Sequence, residues 1–218
     1  MPQVLIFPLL ILVILIVLFI VFWPAPALIP IGLFLIVLLI FILSFFRDPA
    51  RNINIEEKIL LSPADGTITD IDEIDNNALG IKAQRIGIFL SIFNVHINRF
   101  PCSVRVEKIN YVKGQFINAA SPDASSINES NDILMVRQSE PKEKLLLRQI
   151  TGVIARRIVC EAREDEEYKQ GEAFGMMKFG SRTELYLPLG ANLEVLVKIG
   201  DKVKAGLSPL VRYNGRLS

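Results

Sequence analysis

Acidic, basic and histidine side chains are all missing from the first 46 residues of this 218-residue chain, where Arg47 is the first charge. A stretch without charge cannot share the composition of an ordinary globular surface, so it stands apart from the rest of the chain. Histidine occurs once, at His96, which argues against a histidine-based metal site. The two cysteines, Cys102 and Cys160, show neither metal-ligand spacing nor a disulfide framework. They read as inert thiols of a reducing compartment. Basic and acidic residues nearly cancel, 24 against 23 for a net charge of +1, so there is no excess of positive charge of the kind nucleic-acid binders carry. Also absent are a Walker glycine loop, a Gly-x-Gly-x-x-Gly fingerprint, a Cys-x-x-Cys pair, a His-Glu-x-x-His helix and a Gly-x-Ser-x-Gly elbow. The familiar nucleotide, redox, zinc-protease and serine-hydrolase signatures are therefore excluded.

What the uncharged stretch contains is two apolar runs, Val4 to Trp23 and Leu28 to Phe46, separated by Pro24-Ala25-Pro26-Ala27. Each is close to the roughly 20 residues a helix needs to cross a bilayer core. A cleaved secretory signal starts with positive charge and has one shorter apolar region, so this segment is expected to stay in the mature protein. Arg47 and Arg51 follow the second run and place that end on the cytoplasmic side. The expectation is a helical hairpin over 1–46 with both ends cytoplasmic. Length favours spanning, and Pro8 with the central prolines leaves shallow insertion as the alternative.

From residue 47 to 218 the pattern changes to short β-branched runs punctuated by turn residues, as in Gly66 to Ile71, Ile86 to Ile92 and Val104 to Ile109. Later runs are Thr151 to Cys160, Thr183 to Leu187 and Leu193 to Val197, with Gly180, Gly190, Gly200 and Gly206 beside them. This spacing predicts a mainly β, β-rich α+β soluble domain of sandwich or barrel-like build. Ser121 to Asp132 and Ser139 to Lys144 read as polar loops.

Three stretches could carry chemistry. In Phe174 to Arg182, the Gly180-Ser181 pair sits in a tight turn before a strand. Most such pairs are only turns. Yet glycine permits a strained, closely approached carbonyl, and the next hydroxyl can attack it if something accepts the proton. His96, on an apolar strand, has the bland reading of a hydrogen-bonded core residue. It is also the only side chain suited to moving protons near neutral pH. Asp65, in Ser62-Pro63-Ala64-Asp65-Gly66, belongs to a common turn type, or else orients the imidazole as the third member of a hydroxyl, histidine and carboxylate relay.

Taken in order, these stretches resemble the phosphatidylserine decarboxylase family, in its short bacterial and archaeal branch. The likeness is carried by Phe45 to Pro49, Ser62 to Gly66, Ser91 to Arg99, Tyr111 to Ala119, Asn128-Glu129, Gly152 to Cys160 and Phe174 to Pro188. Its specific element is Phe179-Gly180-Ser181-Arg182, since the family is cut at a Gly-Ser bond and this branch has Gly-Ser-Arg. The resemblance implies that Ser181 attacks the Gly180 carbonyl, that the chain separates into a large fragment 1–180 and a small fragment 181–218, and that Ser181 becomes a covalent pyruvoyl group. His96 is implied as general base and Asp65 as its orienting carboxylate. The implied cofactor, pyruvate in its bound form, takes the serine amine of the lipid as an imine and draws off the electrons left when carbon dioxide departs. Longer members have a second histidine where this chain has Arg99, which leaves the proton donor of decarboxylation unassigned.

The implied partners are phosphatidylserine in the cell membrane and the chain's own two fragments as a heterodimer, with a higher homo-oligomer left open. The soluble domain is expected on the cytoplasmic side. Two readings compete. Met177-Lys178-Phe179 and Val197 to Gly206 are similar to elements of biotinyl or lipoyl carriers, and a membrane-anchored binding protein would use Gly180-Ser181 only as a turn.

Overall fold

A computed structural model describes residues 3–22, 29–76, 78–121, 123–153, 157–178, 180–190 and 193–214. The chain divides into two compact units, Met1–Pro49 and Ala50–Ser218. The first contains helices α1 (Gln3–Phe22) and α2 (Ile29–Phe45). Pro30 lies in the first turn of α2, where no intrahelical N–H is lost. At the other end the Arg47 guanidinium donates to the Ser44 carbonyl at 2.5 Å, meeting one of the carbonyls a helix terminus leaves unpaired. The side chains of α1 are described only from Leu10 onward, and over the described residues no helix is long and apolar enough to cross a membrane.

The second unit is built from strands β1 (Ile59–Leu61), β2 (Gly66–Asn76), β3 (Ile81–Leu90), β4 (Ile97–Arg99), β5 (Val104–Val112), β6 (Ser130–Arg137), β7 (Lys144–Ile150), β8 (Val159–Cys160), β9 (Glu167–Tyr168), β10 (Ala173–Met176), β11 (Ser181–Pro188), β12 (Leu193–Val195), β13 (Lys202–Val203) and β14 (Pro209–Tyr213), with one helical turn α3 (Ala124–Ile127). Eight strands form one sheet in the order β13-β2-β3-β11-β7-β6-β5-β9. Two three-stranded sheets, β1-β14-β12 and β4-β10-β8, complete the unit. The expected β-rich fold is what the chain adopts.

Alternation along the central strands decides which side packs. Ile86, Ile88 and Leu90 of β3 share a face with Leu185 and Leu187 of β11, Leu145 and Leu147 of β7, and Ile133 and Met135 of β6. All are fully buried in one cluster. Each contributes roughly 1.5–3 kcal/mol by leaving water. Cys102 lies in the same cluster, and burial pushes its thiol up to about 12, while burial likewise raises Cys160. Both are free thiols.

Three runs end differently from their sequence pattern. The run Ile86 to Ile92 stops pairing at Leu90, because the Asn94 side-chain oxygen accepts from the Ser91 N–H at 2.9 Å and its hydroxyl at 2.8 Å, closing a turn. Of Thr151 to Cys160 only Val159–Cys160 is strand, and residues 154–156 lie outside the described set. The polar loop expected over Ser121 to Asp132 includes α3 and the start of β6.

Candidate active site

Strand β11 begins at Ser181 itself, opposite Leu90 of β3, and its next residue Arg182 faces Ile150 at the end of β7. The turns leaving β3 and β7 therefore flank the Gly180-Ser181 bond. Gly180 has φ of +63°, a conformation only glycine adopts without strain. Phe179 lies outside the described residues. Ser181 is 0% exposed, and among the described residues its hydroxyl is buried without a hydrogen-bond partner. Leaving a buried hydroxyl unpaired costs about 1–3 kcal/mol.

His96 is also 0% exposed. The Ser91–Asn94 turn presents the Asn94 carbonyl to His96 Nδ1 at 2.9 Å. A carbonyl only accepts, so Nδ1 carries a hydrogen, and in the neutral ring Nε2 is then the nitrogen able to take a proton. The His96 carbonyl in turn accepts from the Met177 N–H at 3.0 Å, tying the histidine segment to the chain that leads into Gly180. Asn94 was not singled out by sequence, because the contact is through its backbone and any residue type carries a carbonyl.

Asp65 is engaged elsewhere than the Nδ1 side of the ring. Its carboxylate accepts from the Arg51 guanidinium at 2.9 Å and from the Ala205 N–H at 2.8 Å. Arg51 also donates to the Ala205 carbonyl at 2.6 Å, and its side chain is 5% exposed. The charge expected to mark the cytoplasmic edge of the hairpin is thus buried in an ion pair. The Asp65 turn is still stitched to the histidine strand, since the Pro63 carbonyl accepts from the Arg99 N–H at 2.9 Å and from the Asn98 side chain at 3.4 Å. Arg99 donates to the Gly171 carbonyl at 3.1 Å. A guanidinium stays protonated, so Arg99 binds as a cation and is a poor shuttle for protons.

Between β4 and β11 runs a chain of buried amides and hydroxyls. Asn131 donates to Gln149 at 3.1 Å, Gln149 to Asn98 at 2.9 Å, and Asn98 to Thr183 at 3.0 Å. Thr183 lies two residues beyond Ser181, on the same face of the strand. This chain fixes the spacing between the small sheet, which follows His96, and the strand that starts with Ser181.

The opposite face of β11 carries Arg182 and Glu184, 1% and 0% exposed. Arg182 donates to Glu184 at 2.7 Å and to Asp70 of β2, and Glu184 accepts from Ser125 at 2.8 Å and from Tyr186. Burial alone raises the Asp70 carboxyl, but hydrogen bonds from Arg182 and Thr69 and the charges of Arg182 and Arg85 outweigh it and hold the pKa below the ordinary value. Removing Glu184 leaves the buried Arg182 with Asp70 alone and takes the acceptor from the Ser125 and Tyr186 hydroxyls, at a cost of about 3 kcal/mol. Glu184→Ala is therefore expected to lower the melting temperature by roughly 10 °C, from about 2–4 °C per kcal/mol at this size. A melt within about 2 °C of the parent would show the network to be dispensable. Because the folded pKa of Asp70 is lowered, its stabilisation is complete above the ordinary carboxylate range and is lost as pH falls through that lower value.

The carrier reading asks Lys178 to sit at the tip of a hairpin. Lys178 does lie between β10 and β11, but these strands belong to different sheets and do not pair.

The family model for phosphatidylserine decarboxylase matches residues 38–210. The chain is similar to the phosphatidylserine decarboxylase proenzyme of Syntrophus aciditrophicus, at 48% identity over 167 residues that cover 76% of each chain. It is similar to the proenzyme of Carboxydothermus hydrogenoformans at 44% identity, covering 84% of this chain and 85% of that one. To the proenzyme of Rhodopirellula baltica it is 43% identical, over 78% of this chain and 70% of the relative.

Proposed function

The chain belongs to the phosphatidylserine decarboxylase family, and from that membership we propose that it cuts itself between Gly180 and Ser181 and then decarboxylates phosphatidylserine to phosphatidylethanolamine. The observation that carries the proposal is the Ser181 hydroxyl, buried without a partner directly after a glycine at φ +63°.

Exclusion of solvent at Ser181 favours its own hydroxyl over water as the nucleophile. As the Oγ to carbonyl-carbon bond forms and the peptide C–N bond breaks, His96 Nε2 takes the hydroxyl proton and the departing amine gains one. Loss of the Ser181 α-proton then expels the Gly180 carboxylate, and the residue left behind tautomerises and exchanges ammonia for water. The products are fragments 1–180 and 181–218. They stay joined by β11, which lies between β3 and β7 of the large fragment, and by the buried pairs of Arg182 and Glu184 with Asp70 and Ser125.

The pyruvoyl group formed at position 181 supplies the electrophilic carbonyl that ordinary side chains lack. The residues present fit it: the position is buried, and no other described group competes for the serine oxygen. Asp65, held by Arg51, is proposed to support the imidazolium electrostatically, as a lesser contribution.

Helices α1 and α2, without a charged residue, are proposed to hold the enzyme at the cell membrane with the catalytic unit on the cytoplasmic side, where the lipid head group lies. Deleting residues 1–46 should leave a catalytic unit that still cuts itself, because every residue of the proposed site lies downstream. Activity on lipid vesicles should fall far more than activity on a dispersed short-chain substrate. An uncut or aggregated truncation would show instead that the hairpin belongs to the fold.

The function itself is tested by incubating the purified protein with phosphatidylserine in mixed micelles and following carbon dioxide and phosphatidylethanolamine. An inactive, uncut chain would favour the anchored binding protein, and a chain carrying biotin or lipoyl mass would favour the carrier.

A further inference from the structure

The pairing of β11 with β7 runs Glu184 to Arg148, Thr183 to Gln149 and Arg182 to Ile150. Continued by two residues, the same register sets Ser181 opposite Thr151 and Gly180 opposite Gly152. Two glycines thus face each other where the ladder ends, and they are glycines for different reasons. At Gly180 the reason is conformational, since a Cβ there would meet nothing within 4 Å. At Gly152 the reason is space. A Cβ built on Gly152 overlaps the Gly180 carbonyl oxygen, and lies 3.1 Å from the Gly180 carbonyl carbon and 3.3 Å from the Ala119 Cβ.

The Gly180 carbonyl therefore rests on the bare Cα of Gly152, in a slot closed on the far side by Ala119. That slot is itself anchored. The Thr151 N–H and hydroxyl both donate to the Glu129 carbonyl at 3.0 Å, and the Asn128 side chain donates to the Thr151 carbonyl at 2.7 Å. Asn128 is held in turn by the N–H and carbonyl of Ile117, each at 2.8 Å. The floor beneath the carbonyl is tied down, while a Cβ on Gly180 would meet no described atom within 4 Å.

We infer that Gly152 is a positioning residue for self-cleavage: its missing side chain lets the Gly180 carbonyl lie where the Ser181 hydroxyl reaches its carbon. The inference rests on the cut proposed above and adds to it a residue that touches neither the base nor the nucleophile. A methyl group at Gly152 cannot share space with the Gly180 carbonyl oxygen, so with the floor anchored it is the carbonyl that must leave its place. A displacement on the order of 1 Å at a reacting centre costs about 100-fold in rate.

The test compares full-length wild type, Gly152→Ala, Val153→Ala and Ser181→Ala by intact mass, by thermal melting, and by mild neutral hydroxylamine treatment, which releases fragment 181–218 only from chains that have formed the Gly180 ester, a product told by mass from any cut at Asn214-Gly215. Gly152→Ala should be cut about 100-fold more slowly than wild type. It should melt close to the uncut Ser181→Ala chain and release no fragment with hydroxylamine. Val153→Ala, altered only at the adjacent exposed side chain, should be cut like wild type. Cutting of Gly152→Ala at the wild-type rate, or hydroxylamine release from it as readily as from wild type, overturns the inference. Should Gly152→Ala fail to fold, Asn128→Ala decides, since it loosens the slot without adding bulk: slower cutting supports the inference and unchanged cutting overturns it. A wild-type chain left whole at Gly180-Ser181 would instead sink the self-cleavage proposal on which the inference stands.

Discussion

Ser181→Ala is expected to yield one uncut chain with no decarboxylase activity, whereas wild type yields a large fragment ending at Gly180 and a small one running from position 181 to 218. The loss should be complete, because one substitution removes the oxygen that both attacks the Gly180 carbonyl and is later eliminated to leave the pyruvoyl precursor. The first residue of the wild-type small fragment should be lighter than serine by one ammonia, and sequential degradation should find that end blocked. Burial makes this substitution a clean one: the Ser181 hydroxyl has no partner among the described residues, so alanine strands no hydrogen bond. The uncut variant should therefore be at least as stable as any precursor form. A free serine amine at position 181 in wild type would indicate ordinary hydrolysis, and an uncut chain with activity would end the proposal.

Loss of the imidazole should be the second large effect. His96→Ala is expected to slow maturation by about 10²–10⁴-fold, the range over which a positioned base accelerates proton transfer. The Asn94 contact suggests a sharper variant. His96→Asn places an amide N–H near the position of Nδ1, so the bond to the Asn94 carbonyl is kept while the lone pair of Nε2 is lost. If His96 is the base, both variants mature about 10²–10⁴-fold more slowly; if it is only a structural core residue, His96→Asn matures at close to the wild-type rate and only His96→Ala is slowed. Asp65→Asn should show a smaller delay. Its amide oxygen still accepts from Ala205, but the charge facing Arg51 is gone.

Much of this site was legible as a row of segments. Taken singly, Gly180-Ser181, His96 and Asp65 each have a common bland reading, as a turn, a core residue and a turn; they stand out as an ordered series with a single histidine to serve as base. Arg182 and Glu184 carried a weaker signal: two charges alternating with Thr183, Leu185 and Leu187 in a strand, a pattern that usually marks a solvated face. Here that face is closed, with Asp70 and Ser125 meeting the two charges. Nothing in the local pattern distinguishes those cases, because the partners lie 112 and 59 residues away. Arg51 likewise reads as a juxtamembrane charge until Asp65 and Ala205 are seen around it.

By itself the sequence determined what depends on composition and short spacing: the uncharged helical segment, the β-rich unit after it, and the residue types proposed here to attack, to accept a proton and to be cut. Periodicity and charge are properties of neighbours along the chain, so they survive without coordinates. Only the tertiary structure decided that the Asn94 carbonyl sets the imidazole tautomer, that the Asp65 carboxylate is shared with Arg51, and that Gly152 lies beneath the Gly180 carbonyl. Each of these is a contact of backbone, or of charges distant in sequence, brought together by strand register and sheet order. A backbone carbonyl or a bare Cα looks the same at every position until the fold chooses its neighbour.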